Sequence, residues 1–491
     1  MAISTPLSTE NQTIVRRDAN YHPSIWKDEY LQSIPTQFQG DTYKARADRL
    51  KEEVRNLVNI GDDDVLSKLE LIDTLERLGI YYHFEDEIHN ILQNIHNHGY
   101  MDKNQDLYTT SLKFIYLRQH GFDVPQDIFK TFMDDQGKFK GELSKDINAM
   151  LYLYEASYLS TPKDDIMDEA RDFSTKYLKE YAEKNNDNNE FLKKLVIHSL
   201  QLPLRWKVVS LEARWFIDMY ENKQDMNPTL LQFAKLDYNI LQAIHLEDLK
   251  YTSRWWKSTS LVEKLSFARD RLVENYIWSL GVTFEPHLQY SRRVNTKVNA
   301  LITVIDDVYD VYGTLDELNL FTDIVERWDV NAIDELPEYM KICFLTLFNS
   351  VNDMGYDALK NHNLNIIHYL RNTWVVLCKA YLKESIWYNN GYIPTLDEYL
   401  ENACNSIADP TMLIHAYASY SNPLTTEAFE YLETNPNIVR FSSMILRLSD
   451  DLGTSSDELK RGDNPKSIQC YMHEKGVSEE KAREYISLFS E

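Results

Sequence analysis

Two acidic rows in this sequence have residue types and spacings that could do chemistry. In LITVIDDVYDVYGTLDEL, Leu301 to Leu318, the carboxylates Asp306, Asp307 and Asp310 follow an apolar run. Asp306 and Asp310 stand four apart, so a helix places them on one face, with Asp307 one step around. In RLSDDLGTSSDE, Arg447 to Glu458, the residues Asp450, Thr454 and Glu458 stand at i, i+4 and i+8. That is a stripe of two carboxylates and a hydroxyl. Such oxygen sets suit hard divalent ions such as Mg2+, which keep several waters and bridge to substrate phosphates. A solvated helix surface is the plain alternative for each row. The apolar LITVI and MILRL leading into them weigh against it, because they place both helices in a core. The first row also ends one turn before Gly313, near a helix C-terminus where further negative charge is disfavoured unless cations are expected. Thr314 with Glu317 then reads as a capping box opening the next helix.

Basic residues stand close to these rows in sequence. Arg269 and Arg271 form RDR in SFARDRLVENYIWSLG, and two guanidiniums can grip diphosphate oxygens bidentately. Trp278 follows, with a ring face able to stabilise a cation, although a lone Trp on a helix is more often core. No GxG or GxxxxGK[ST] pattern occurs, so the backbone cradles of Rossmann and P-loop sites are absent. Metals and side chains would have to bind any phosphate. Asp62 to Asp64 in GDDDV read as a helix N-cap cluster, and His89, His96 and His98 lie at no useful metal spacing.

The elements that must position these groups are helical. LKEEVRNLV, VLSKLELIDTLERLG and IHNILQNIHNHG carry apolar residues at three- and four-residue intervals, and no sustained alternation supports a sheet. The first 40 residues read as extended and irregular, and EKNNDNNE (Glu183 to Glu190) as an interhelical loop. A chain of 491 residues implies two or three domains. The boundary falls near Met226, where Asn227 suits an N-cap and Pro228 the first helical position, giving domains 1–226 and 227–491. A net charge of −25 argues against nucleic-acid binding, which needs a basic face. Cys343, Cys378, Cys404 and Cys470 lie far apart without zinc-type spacing and read as reduced thiols. No apolar run approaches the roughly 20 residues of a membrane span. The N-terminus lacks a hydrophobic signal core, so the cytosol is expected, with the plastid open if a transit peptide precedes this chain.

Taken together, these residues resemble those of plant class I terpene synthases. The DDxxD at Asp306 to Asp310, the [ND]DxxTxxxE element at Asp450 to Glu458, RDR and Trp278 stand in that family's order. So does RRx8W in RRDANYHPSIW, with Arg16, Arg17 and Trp26, and the resemblance covers essentially the whole chain. LPLRWKVVSLEARWFI is similar to the angiosperm subfamily rich in monoterpene synthases, with ocimene- and farnesene-forming members. The resemblance implies an all-α protein of two helical domains, a relic α-barrel and a C-terminal catalytic bundle. It implies three Mg2+ or Mn2+ ions between Asp306, Asp307 and Asp310 on one wall and Asp450, Thr454 and Glu458 on the other. Asp307 would be the lesser ligand. The substrate would be geranyl or farnesyl diphosphate, ionised to a mono- or sesquiterpene. Arg269, Arg271 and Arg447 would neutralise the departing diphosphate, and Trp278 would face the cation. Arg16, Arg17 and Trp26 would cap the entrance; whether the arginines close the cavity or only hold a strand stays open. A monomer is expected.

Two departures qualify that picture. The chain stops at Glu491, soon after Glu458, where family members continue through further helices and a lid, so a truncated form with impaired activity is expected. At the positions where isoprene synthases narrow the pocket with two phenylalanines stand Asn299 and Leu446, which argues against a five-carbon substrate. Two rival readings remain. An elongating prenyltransferase would carry a second DDxxD in place of DDxxTxxxE. A catalytically dead binding protein would keep the ligand set without turnover.

Overall fold

The computed structural model describes residues 16–60, 64–99, 106–183 and 189–490. The chain divides into two compact units, residues 36–244 and residues 1–35 together with 245–491. In the first, the helices are α1 (Asp41–Ile60), α2 (Val65–Arg77), α3 (Glu85–Gly99), α4 (Leu107–Gln119), α5 (Ile147–Ser157), α6 (Asp165–Glu183), α7 (Glu190–Gln201) and α8 (Val209–Glu221). A long α9 (Pro228–Thr259) follows, and the division falls within it, whereas sequence reading set the boundary at its start. That start is capped as expected, the Asn227 side chain accepting from the amides of Thr229 and Leu230. The core of this unit gathers Leu69, Phe84, Leu92, Phe114, Phe129 and Leu153, all fully buried. His89 stacks on Phe122 and His96 packs against the same ring at a tilt, which is a packing role. Asp64 caps α2 by accepting from the Ser67 amide; Asp62, Asp63 and the His98 side chain lie outside the described residues.

The second unit contains α10 (Leu272–Val282), α11 (Gln289–Asp307), α12 (Leu315–Arg327), α13 (Glu338–His362), α14 (Ile367–Asn390), α15 (Leu396–Ser406) and α16 (Asp409–Tyr420). It continues through α17 (Thr426–Glu433), α18 (Asn437–Arg461), α19 (Ser467–Lys475) and α20 (Glu479–Ser490). Among the described residues there is no β-strand, only an isolated bridge between Met133 and Phe139. The expected all-α architecture is therefore present.

Packing decides how the acidic rows are held. Leu301, Val304 and Ile305 are at most 2% exposed and seat α11 among Phe321, Ile324, Leu347, Leu370 and Trp374. Each such burial stabilises the fold by roughly 1.5–3 kcal/mol. Leu448 seats α18 in a smaller core with Tyr399, Leu400, Ile468, Ala482 and Ile486. The four cysteines are buried and unpaired, and no described helix is long and apolar enough to cross a membrane. Ahead of these helices, residues 16–27 run as extended chain before a short helix, Asp28–Ser33.

Candidate active site

The first acidic row does not lie on one regular helix. α11 ends at Asp307, and Val308–Tyr312 continues as a π-helical turn closed by the Gly313 amide donating to the Val308 carbonyl at 2.8 Å. Single π turns of this kind often mark functional sites, because they re-aim side chains that α geometry would place elsewhere. A Cβ on Gly313 would meet Leu318 Cδ2 at 2.5 Å and the Val308 carbonyl at 2.8 Å, so the turn needs glycine there. The expected capping box at Thr314 and Glu317 follows it.

Asp306 and Asp310 both reach a cavity of about 500 Å3, and Asp450, Thr454 and Glu458 line the same cavity from α18. The Oδ1 atom of Asp310 is buried and has no hydrogen-bond partner. Burial, with Asp306 adding repulsion, pushes the Asp310 carboxyl well above the usual carboxylate range. Burial likewise raises Asp450 and Glu458. Thr454 Oγ1 donates to the Asp450 carbonyl at 2.9 Å, so its lone pairs remain available. Among the described residues, no three His, Cys, Asp or Glu side chains form a preassembled metal site. The donor set nevertheless fits divalent cations. It consists of hard oxygens on opposed elements, one of them buried without a donor, and a shared phosphate can complete such shells.

Three cations share the cavity: Arg269, Arg447 and Lys466. Arg269 donates from its amide and from Nε to Asp307 and from Nη2 to Asp306. Arg447 is 7% exposed and faces Asp450 and Asp451 at 3.4 and 3.3 Å. Asp451 is fully buried, held by the Tyr399 hydroxyl and the Ser467 amide, and so fixes Arg447 from behind. Lys466 was not anticipated from sequence. Its Nζ lies 3.8 Å from Glu458 Oε2, and although burial works against its charge, Glu384, Asp310 and Glu458 outweigh burial and raise it. Glu384, also unanticipated, accepts from Asn402 and Ser406 and lines the wall beside Tyr381, Ile302 and Ile407. Neither residue had a sequence signal, because Lys466 follows the turn at Gly462 and Glu384 sits in an ordinary amphipathic helix.

Several expected site residues lie elsewhere. Asp307 is fully buried and does not line the cavity; one step around the helix turns it toward Arg269. Burial pushes its carboxyl up to about 6, with Arg269 opposing. Arg271 is also absent from the lining and donates to the His22 carbonyl at 2.9 Å. Trp278 is 63% exposed and outside the lining, because α10 presents that face outward. Asn299 and Leu446 are partly buried and do not reach the cavity either. Arg16 pairs bidentately with Glu317 and donates to the Tyr312 carbonyl. Arg17 donates to the carbonyls of Asp310 and Gly462. Both arginines line a smaller neighbouring pocket of about 210 Å3, and Trp26 stacks on Tyr30 near the surface.

Two domain models of one family together match most of this chain. The terpene synthase N-terminal domain covers residues 25–200, and the terpene synthase family metal binding domain covers residues 257–491. The chain belongs to the plant terpene synthase family, and it is a lyase of isoprenoid biosynthesis carrying that family's metal binding domain. Among individual relatives, it is 58% identical to a (−)-alpha-terpineol synthase of Vitis vinifera over 97% of this chain and 81% of the relative. It is 56% identical to a chloroplastic myrcene synthase of Quercus ilex over 96% and 79%. A limonene synthase structure with 2-fluorolinalyl diphosphate superposes with a TM-score of 0.93 at 44% identity, covering 97% of this chain and 88% of that one. Isoprene synthase from grey poplar leaves, in complex with three Mg2+ ions and dimethylallyl-S-thiolodiphosphate, gives 0.86 at 43% identity over 95% and 87%.

Proposed function

We propose that this chain ionises geranyl diphosphate to a monoterpene. The observation that carries the reading is the convergence of two carboxylate rows and three cations on one cavity of about 500 Å3. Terpineol, myrcene and limonene synthases among its relatives support the ten-carbon length.

Asp306 and Asp310 would hold divalent ions from one wall, and Asp450, Thr454 and Glu458 from the other; three ions, Mg2+ or Mn2+, are proposed. When bound, the metal supplies Lewis-acid neutralisation of a departing diphosphate. Arg447, Lys466 and Arg269 bind the diphosphate oxygens, replacing the carboxylate contacts they make without substrate. The C1–O bond breaks heterolytically, with both electrons leaving on diphosphate and an allylic cation remaining. Tyr381, Ile302 and Ile407 offer the wall nearest that cation, where a ring face stabilises charge and apolar groups exclude water. Asp307 and Asp451 act as positioning residues, each holding a cavity arginine. Arg271 secures the N-terminal strap at His22 and does not contact diphosphate. The strap-holding role also suits Arg16 and Arg17, and the catalytic domain is taken to begin at residue 227.

Gas chromatography of products from geranyl and farnesyl diphosphate, each with Mg2+, tests the reading. A monoterpene from the ten-carbon substrate is expected. A sesquiterpene alone would overturn the chain length. Stabilisation by Mg2+ and diphosphate without turnover would favour a binding protein. The chloroplastic designation of several relatives supports a plastid location rather than the cytosol, which imaging of a fluorescent fusion in leaf cells checks.

A further inference from the structure

The extended strap 16–27 sends one side chain into the cavity, Tyr21, which the mechanism above leaves without a role. The strap is tied on both sides of this residue. Upstream, Arg16 and Arg17 hold Glu317 and the carbonyls of Asp310, Tyr312 and Gly462; downstream, Arg271 donates to the His22 carbonyl. Between these ties the chain turns inward. The Asp18 side chain accepts from the Asn20 amide at 2.8 Å, and Asn20 takes φ +52°, a left-handed conformation that Asn tolerates better than most residues. The next residue is Tyr21, whose ring lies 5.2 Å from the Arg269 guanidinium carbon.

We infer that Tyr21 is a positioning residue for the ionisation, its ring holding the Arg269 guanidinium where it can exchange Asp306 for a diphosphate oxygen. The inference rests on the reading of Arg269 as a diphosphate contact. The in-plane donors of Arg269 point at Asp306 and Asp307, so those bonds fix its edge and leave its faces unconstrained. The guanidinium carbon lies over the Tyr21 ring, whose face attracts the charge electrostatically. A guanidinium held over the ring can turn toward a diphosphate oxygen while keeping Asp307, and movement away from the ring loses that attraction. The Tyr21 hydroxyl also bonds to Asp307, the carboxylate that holds Arg269.

The test compares wild type with Tyr21→Phe, Tyr21→Leu and Tyr21→Ala. One readout is calorimetric binding of inorganic diphosphate in Mg2+. The other is metal-free hydrogen exchange in the peptide holding the Arg269 amide, which donates to Asp307 at 2.6 Å. Phe keeps the ring face and loses only the hydroxyl's bond to Asp307, so it is expected to bind within about twofold of wild type, with exchange slower than in Ala. Leu and Ala are expected to weaken diphosphate roughly five- to tenfold and to speed exchange, with unfolding midpoints close to wild type. Leu at wild-type affinity would overturn the inference, since bulk alone would then suffice. Phe as weak as Ala would also overturn it, assigning the effect to the hydroxyl. A wild type that fails to bind Mg2+ and diphosphate sinks the functional reading and this inference together. Wild-type binding matched by Tyr21→Ala sinks the inference alone.

Discussion

At Asp310, an oxygen buried without a hydrogen-bond partner sits beside a second carboxylate, and both belong to the proposed metal wall. A carboxyl whose pKa is raised by folding weakens the fold once pH passes its unfolded value of about 3.9. The penalty grows until pH reaches the raised folded value and is constant above it. Asp310→Asn removes that penalty, so metal-free protein should gain about 1–2 kcal/mol at pH 7. The gain should vanish near pH 4, and urea unfolding at the two pH values checks both. The same substitution should lower kcat/KM by about 100-fold or more, measured with Mg2+ and geranyl diphosphate. Improved stability with lost activity is the signature of a group kept for chemistry. Lys466 belongs to the same scale. Lys466→Gln should weaken inhibition by inorganic diphosphate about tenfold, read as a shift in its inhibition constant, while far-ultraviolet dichroism stays unchanged.

At the scale of elements, the π turn Val308–Tyr312 is the decisive feature. It releases the regular ladder where Asp310 must turn inward, and Arg16 and Arg17 cap the carbonyls of Tyr312 and Asp310 in that turn. Gly313 makes the turn possible, because any side chain would strike Leu318 and the Val308 carbonyl. Gly313→Ala should therefore destabilise the protein by about 1–3 kcal/mol. It should also raise the Mg2+ concentration needed for half-maximal activity. A loss of stability with unchanged Mg2+ dependence would separate the turn from the site. The four-residue spacing of Asp306 and Asp310 suggested a plain helical face, and that reading lacked the π turn. Nothing in VYDVYG marks such a turn locally. It is stabilised by bonds from Arg16 and Arg17, residues almost 300 positions distant.

At the scale of the molecule, the unit of residues 36–244 has a stability problem of its own. Asp73 and Arg77 are buried at 3.0 Å, and the hydroxyls of Tyr116 and Tyr152 donate to the same carboxylate. A buried ion pair is weak evidence for stability, but breaking one strands the remaining charge. Asp73→Ala should cost about 3–5 kcal/mol, visible by calorimetry as a lowered transition for this unit. Double replacement of Asp73 and Arg77 by apolar residues should restore part of the loss.

The all-helical class, the α9 cap, the Thr314 capping box and the two acidic rows that meet at one cavity were legible in the sequence because they follow from local spacing. Periodicity decides which face a helix buries, and the apolar LITVI and MILRL runs mark where α11 and α18 enter their cores. What spacing cannot supply is the meeting of surfaces from distant elements. Only the tertiary structure turned Asp307 and Asp451 toward arginines, removed Arg271 and Trp278 from the cavity, and brought Lys466, Glu384 and Tyr21 into it. The physical reason is that side chains acquire such roles from long-range electrostatics and packing, set when α11, α14, α18 and the N-terminal strap close around one volume. A single residue's neighbours in sequence carry no record of that volume.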